Sequence, residues 1–398
     1  MVRIHTDNKG FSLWRGIKNL AFITVPAFLV LCLILEFIFT TIVPASDMPY
    51  RSVIVSPDDA VRFEYRDYGM YRRGVVRRGF PCEIAAHYTI NREGWNSNKE
   101  YSRERSSRHR IAVIGDSFVE GLSVNSDKTF AESLEKDLQA DGPGGVEVYR
   151  FGRSGAHLAQ YLNMMRYAKR EYTPDIYIIL ISYNDFLEAI RGYKSPYTNR
   201  YGDFLQFDFN GSEWREVKPK PYSYSPNRVN NILKKSALFR FLVYNISFRK
   251  QIDFFWQAIR HRTVDLSTVF HGHVDTRQAS DNSSVIEGLT LFAFSKYKET
   301  AGDNSRLLLV MGTDVYAVEQ GKDPHQSEAY ALNRMVRIAA ERLSIPYLDL
   351  TDVFYGDFKR SHAMYTFRCD DHWNEKAHTI VGRAISEFIK ERKWCIDK

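Results

Sequence analysis

Four short strand-like runs, at residues 111–114, 146–151, 175–182 and 306–312, constrain this chain more than any other feature: three are almost wholly apolar, the second is interrupted by Glu147 and Arg150, and each stops at glycine or at small polar residues. An uninterrupted apolar run that ends this way reads as a strand buried on both faces, and strands of that kind belong to parallel sheets. Between them lie stretches with helical spacing. Residues 127–140 place Phe130, Leu134 and Leu138 on one face before Asp141-Gly142-Pro143-Gly144-Gly145 breaks the pattern, and further helices are expected at about 156–169 and 326–343. A short strand is expected at 346–350. Strand and helix alternate throughout, which predicts an α/β fold with a central parallel sheet covered on both sides. In such sheets, ligands and chemistry gather at the carboxyl ends of the strands. The first run ends there, at Gly115-Asp116-Ser117.

Residues 20–45 are almost wholly apolar, with Glu36 as the single charge, and that length crosses a hydrocarbon core of roughly 30 Å as a helix. A cleaved signal peptide has an apolar core of only about 7–15 residues, so a transmembrane helix is the better reading. Arg3, Lys9, Arg15 and Lys18 precede the span and acidic residues follow it, so residues 1–19 are expected in the cytoplasm and the rest in the periplasm or outside the cell. Glu36 is expected near one end of the span, reaching the headgroups, rather than holding a helix partner. Cys82, Cys369 and Cys395 then lie on the exported side, where at most one internal disulfide forms, with the pairing left open.

Composition is that of a globular protein, with 44% hydrophobic and 26% charged residues, and excludes a mainly disordered chain. The formal net charge of +7 is spread over short groups such as Arg72-Arg73 and Arg77-Arg78. There is no zinc-finger spacing, RNP-like signature or basic arm, so nucleic acid is not an expected partner and these groups are read as a solvated basic face. Residues 46–109 form a juxtamembrane region expected to pack on the edge of the main sheet, without chemistry of its own. Residues 190–304 form an insertion whose stretch 231–262 looks helical and could lie on a membrane surface or shape a substrate groove. Residues 393–398 are expected to be a tail.

A serine hydroxyl needs a base and an orienting acid before it becomes a nucleophile. The chain supplies both at Asp370-Asp371-His372-Trp373-Asn374. Together with Gly115-Asp116-Ser117, Phe151-Gly152-Arg153-Ser154-Gly155 and Ser182-Tyr183-Asn184-Asp185, this order of blocks resembles the SGNH or GDSL hydrolase family. The resemblance covers about 110–185 and 306–392. It implies a three-layer, flavodoxin-like domain over 110–392 and a triad of Ser117, His372 and Asp370. It also implies an oxyanion hole from the backbone N–H groups of Ser117 and Gly155 and the side chain of Asn184. Two positions depart from the family: Ser182 stands where glycine is usual, and Asp-x-His replaces Asp-x-x-His because residue 369 is cysteine. The Asp-x-His-Trp form looks like the variant in members that add or remove acetyl groups on extracellular polysaccharides.

Other readings compete. Gly152-Arg153-Ser154-Gly155-Ala156 imitates the nucleophile elbow of an α/β-hydrolase, but Ala156 replaces its last glycine. A metal site from Asp370, Asp371, His372 and His378 lacks a second ligand cluster, and His378 is read as structural. A glycan-binding protein on an inactive scaffold would not need Ser117, Asp370, His372 and Asn184 together. The expectation is therefore a membrane-anchored serine esterase acting, without metal or organic cofactor, on O-acyl groups of a glycan, most simply O-acetyl. Acyl transfer by the same triad is the alternative.

Overall fold

The computed structural model describes residues 18–47, 52–54, 63–65, 73–78, 84–106, 108–139, 145–193, 204–218, 228–246 and 283–395. A long apolar helix, α1 (Leu20–Thr41), opens it. Two antiparallel pairs follow, β1 (Ser52–Ile54) with β2 (Phe63–Tyr65) and β3 (Arg73–Arg78) with β4 (Ile84–Thr89). The αβ alternation then begins: β5 (His109–Gly115), α2 (Ser117–Glu120), α3 (Phe130–Gln139), β6 (Val146–Gly152), α4 (Leu158–Tyr172), β7 (Ile176–Ile181) and α5 (Asp185–Glu188). The insertion contributes an antiparallel pair, β8 (Gln206–Phe209) with β9 (Trp214–Val217), and the helices α6 (Arg228–Lys235), α7 (Ala237–Arg240) and α8 (Ser283–Ala301). The chain finishes with β10 (Arg306–Met311), α9 (Val315–Glu319), α10 (Tyr330–Arg342), β11 (Tyr347–Asp349), α11 (Thr351–Ser361), the short pair β12 (Thr366–Phe367) and β13 (Asp370–Trp373), and α12 (Glu375–Glu391).

The five strands that the apolar runs announced form one parallel sheet in the order β11-β10-β7-β5-β6. Counted along the chain this is the 2-1-3-4-5 order of flavodoxin-like sheets, with its switch point at β5. Side chains alternate across the sheet as the two-residue period of a strand requires. Ala112 and Ile114 enter a core shared with α4, α8 and α10, whereas Ile111 and Val113 enter one shared with α3, α11 and α12. Both cores are closed, so the fold is the expected three-layer α/β sandwich. Gly382 lets α12 and α3 approach until a Cβ there would lie 2.8 Å from the Phe130 carbonyl oxygen.

Several expectations change. The juxtamembrane region does pack on the edge of the main sheet, with Trp95 against Phe151 at a centroid separation of 5.1 Å, but its β3–β4 hairpin does not join the sheet as strands. The edge strand β6 is covered instead by Tyr101, whose hydroxyl donates to the Arg150 carbonyl and accepts from the Arg150 N–H, both at 3.0 Å. That satisfies two backbone groups of an otherwise open edge. The insertion is not wholly separate from the domain. Ile286, Leu289, Ala293, Phe294 and Tyr297 of α8 are buried in the sheet's core. Its apolar residues run around much of the helix and blur the stripe that a sequence reader looks for, and Gly288 leaves room for Trp214, 3.0 Å from where a Cβ would stand. Residues 228–235 and 237–245 are helical, broken at Ser236, and the remainder of the expected helical stretch, 247–262, lies outside the described residues. Trp394 is core rather than tail, packing on Phe388 with ring centroids 5.9 Å apart.

Glu36 is the clearest correction. Its carboxylate accepts from the Ser236 hydroxyl at 2.6 Å and from the backbone N–H groups of Ala237 and Leu238 at 2.7 and 2.9 Å, capping the start of α7. A carboxylate in a weakly hydrated setting gains more from unsatisfied helix N–H groups than from distant headgroups. Cys369 is disulfide-bonded, while Cys82 lies outside the described residues.

Candidate active site

The Gly-Asp-Ser block turns sharply because two contacts require it. A Cβ at Gly115 would stand 2.4 Å from the Val119 side chain, so only glycine lets α2 fold back over the end of β5. Asp116 then caps α2, its carboxylate accepting from the Phe118 N–H at 2.9 Å. Ser117 is the first residue of that helix. Burial pushes the Asp116 carboxyl up to about 6, against the lowering influence of its Phe118 hydrogen bond.

Register fixes what lies beside Ser117. Gly115 pairs with Gly152, and the Arg153 N–H donates to the Gly115 carbonyl at 3.2 Å, so the second block emerges next to the first. A Cβ at Gly152 would fall 2.0 Å from the Glu120 nitrogen, so this glycine is what allows α2 to rest on the end of β6. Gly155 has φ +78, a left-handed conformation that glycine adopts without strain. On the other side, Ile114 pairs with Ile179, which brings the end of β7 alongside. The Ser182 N–H donates to the Asp185 carboxylate at 2.6 Å, and the Asn184 amide donates to Glu188 at 3.0 Å. Asp185 is buried, and its carboxyl lies well above the usual carboxylate range through burial and then repulsion from Asp116.

The fourth block arrives from the far end of the chain. Asn374 caps α12 by accepting from the Ala377 N–H at 3.1 Å and donates to the Met364 carbonyl at 2.9 Å, which anchors the β12–β13 turn. Trp373 is buried against Phe118, Phe130 and Phe354, with centroid separations of 4.8, 6.3 and 5.6 Å. That aromatic wedge holds the preceding residue over Ser117. His372 Nε2 lies 2.8 Å from Ser117 Oγ, and His372 Nδ1 is hydrogen-bonded to Asp370 Oδ1, which also accepts from the His372 backbone N–H at 3.0 Å. Asp371 is more exposed, with its nearer oxygen 3.7 Å from Nδ1. The other Asp370 oxygen accepts from the guanidinium of Arg78, at the end of β3. Burial, and after it the Arg78 charge, hold the His372 imidazole down to about 4, so it is neutral at pH 7.

The competing assignments fare differently. The Ser154 hydroxyl and N–H both donate to the Glu120 carboxylate, the N–H at 2.9 Å, so Ser154 faces a carboxylate rather than an imidazole. The ring of His378 accepts from the Phe130 N–H at 3.2 Å and is buried, as a structural residue would be. Asp370, Asp371 and His372 offer ligand atoms within 4.8 Å of one another. The guanidinium beside Asp370 opposes a further cation there, and both ring nitrogens of His372 are already engaged. Arg78 and Gly152 carried no distinguishing signal in the sequence. Arg78 sits within a basic pair that reads as solvated, and Gly152 has the local signature of any glycine at a strand end.

Among solved structures, the chain is similar to an acetyl xylan esterase (13% identity, 70% of this chain and 99% of that one, TM-score 0.36). It is also similar to a two-domain esterase active on acetylated mannans (12% identity, 72% and 50%, TM-score 0.38). A third is an aryl esterase of M. smegmatis (14% identity, 71% and 99%, TM-score 0.32). No curated protein sequence matches the chain. Residues 111–206, which hold three of the four blocks, match the family described as GDSL-like Lipase/Acylhydrolase. Over those residues the chain is similar to a GDSL-like acylhydrolase.

Proposed function

We propose that this protein is a membrane-anchored, extracytoplasmic serine esterase that removes O-acyl groups, in the first place O-acetyl, from a cell-envelope or secreted glycan through an acyl-enzyme. The observation that carries the reading is the hydrogen-bonded line from Asp370 through His372 to Ser117 Oγ. His372, neutral at pH 7, takes the Ser117 proton as Oγ attacks the ester carbonyl. Asp370 keeps Nδ1 protonated, so that Nε2 is the free base, and favours the imidazolium that forms. In this reading the backbone N–H groups of Ser117 and Gly155 and the Asn184 amide N–H not engaged by Glu188 serve as the oxyanion donors, one such donor being worth about 3 kcal/mol. The imidazolium returns its proton to the departing sugar hydroxyl, and water, deprotonated by the same histidine, releases the acyl group.

Preference for acetyl groups on glycans rests on the likeness of Asp-x-His-Trp to the polysaccharide-modifying members of the family. The anchor rests on α1, 22 residues with a mean hydropathy of 2.6, and on the basic residues that precede it. Retention rather than cleavage is supported by Glu36 capping α7 and by Phe39 stacked on Phe241 with centroids 3.8 Å apart. A removed leader would leave both partners exposed. The test is turnover of p-nitrophenyl acetate by the purified chain, wild type against Ser117→Ala, with fluorophosphonate labelling in parallel. Loss of both activities in the variant is expected; equal rates would end the proposal.

A further inference from the structure

We infer that Arg78, supplied by the juxtamembrane hairpin, is a positioning residue for the hydrolytic triad: it holds one oxygen of Asp370 so that the other faces His372. This rests on the triad reading above and adds to it a residue some 290 positions away from the acid it serves.

The geometry is specific. Asp370 has two carboxylate oxygens, and Oδ1 is committed to the ring and backbone N–H of His372. Oδ2 meets the Arg78 guanidinium, and the Asp370 side chain is only 7% exposed. A carboxylate held at one oxygen alone rotates about its terminal torsion, which is broad. A charge-assisted bond at the second oxygen removes that freedom. The residue before Asp370 packs on the same strand end, with Cys369 Sγ in van der Waals contact 3.7 Å from the Arg78 carbonyl oxygen.

Arg78 is itself delivered by a braced strand. Asp47 pairs with β3 through both its N–H and its carboxylate, to Val75 at 2.9 Å each, and binds Arg240 at 2.9 Å. Ser46 accepts from the Arg77 N–H at 3.0 Å while its own N–H donates to Asn245 at 2.8 Å. These bonds join β3 to the segment that leaves α1 and to the insertion helices that Glu36 caps. The residue that fixes the triad's acid therefore hangs from the same framework as the anchor.

The charged groups facing His372 are Asp370 and Asp371 on its own strand, Asp116 from the β5–α2 turn, Glu120 at the end of α2, and Arg78 from β3. Arg78 is the cation among them and opposes the imidazolium. Its removal should move the acid limb of the pH–rate profile to higher pH, since the base then gains its proton more readily. A purely structural role for Arg78 would lower the amount of active protein without moving that limb.

The experiment measures kcat/KM for p-nitrophenyl acetate between pH 4 and 9 on the full chain in detergent. Active sites are counted by fluorophosphonate labelling, Ser117→Ala serves as the background, and Arg78→Gln and Arg78→Lys are compared with wild type. Expected for Arg78→Gln is a roughly ten- to hundredfold loss per labelled site at the plateau, with the acid limb raised by about one pH unit. Lysine retains the charge without the planar fork, so it should keep the limb near its wild-type position and recover part of the rate. An unmoved limb in Arg78→Gln, or the same displacement in both variants, would overturn the assignment of Arg78 alone. Turnover that survives Ser117→Ala would remove the triad reading and this inference with it.

Discussion

Replacing Gly152 by alanine probes the least visible requirement of the site. A Cβ there would lie 2.0 Å from the Glu120 nitrogen and 2.4 Å from the Val119 carbonyl carbon, both backbone atoms of the single-turn helix α2. Ordinary contacts between such atoms are about 3.5 Å, so α2 must retreat by about 1 Å or more. No side-chain rotation can relieve it. Ser117 is the first residue of the same turn and moves with it, which stretches a bond to His372 that is 2.8 Å in the native arrangement. The strain itself should cost about 1–3 kcal/mol of stability. Misplacement of a reacting atom by about 1 Å costs on the order of a hundredfold in rate. The assay is kcat/KM for p-nitrophenyl acetate alongside thermal unfolding and circular dichroism. The expected result is a folded protein, somewhat less stable, with activity down by about two orders of magnitude. A folded Gly152→Ala variant within threefold of wild type would refute the argument that this glycine sets the serine's position.

Two further outcomes follow from stability rather than rate. Asp116 has its carboxyl raised to about 6 by burial, so its contribution to folding is full below the unfolded value near 4 and is lost as the pH rises through 6. In Asp116→Asn that dependence disappears, and between pH 4 and 7 the variant should gain on wild type by on the order of 3 kcal/mol in urea unfolding; a constant difference would show that Asp116 does not titrate in this way. Gly356 lies inside α11, and a Cβ there would have Arg360 as its nearest neighbour at 4.0 Å. Gly356→Ala should therefore stabilise the protein by about 0.5–1 kcal/mol by the same measurement, and a loss would mean that the helix is strained there.

The sheet was legible in the sequence because its strands are buried on both faces, and burial of that kind leaves mostly apolar residues to read, with Arg110 and Arg150 as buried exceptions. Ile111–Ile114 and Ile176–Ile181 could be placed for that reason, and the turn residues after them marked where each strand ends. The blocks holding Ser117, Gly155, Asn184, Asp370 and His372 were legible through their resemblance, in order, to the blocks of the SGNH or GDSL family; turn and cap chemistry by itself marks only where each strand ends. α8 was missed because its apolar residues do not form a stripe. Glu36 was misplaced because its partners, the N–H groups of Ala237 and Leu238, lie 200 residues further on.

What the chain determines locally, then, is which segments are strands, which helices cover them, and which side chains stand at the strand ends. What the tertiary structure alone decides is adjacency. Gly152 beneath α2, Tyr101 on the open edge of β6, Trp373 wedged against Phe118, and Arg78 on Asp370 each depend on two segments far apart in sequence meeting at van der Waals or hydrogen-bonding distance. A basic residue in a juxtamembrane pair has the same local signature whether it faces water or a buried carboxylate, and only the packing of the folded chain distinguishes the two.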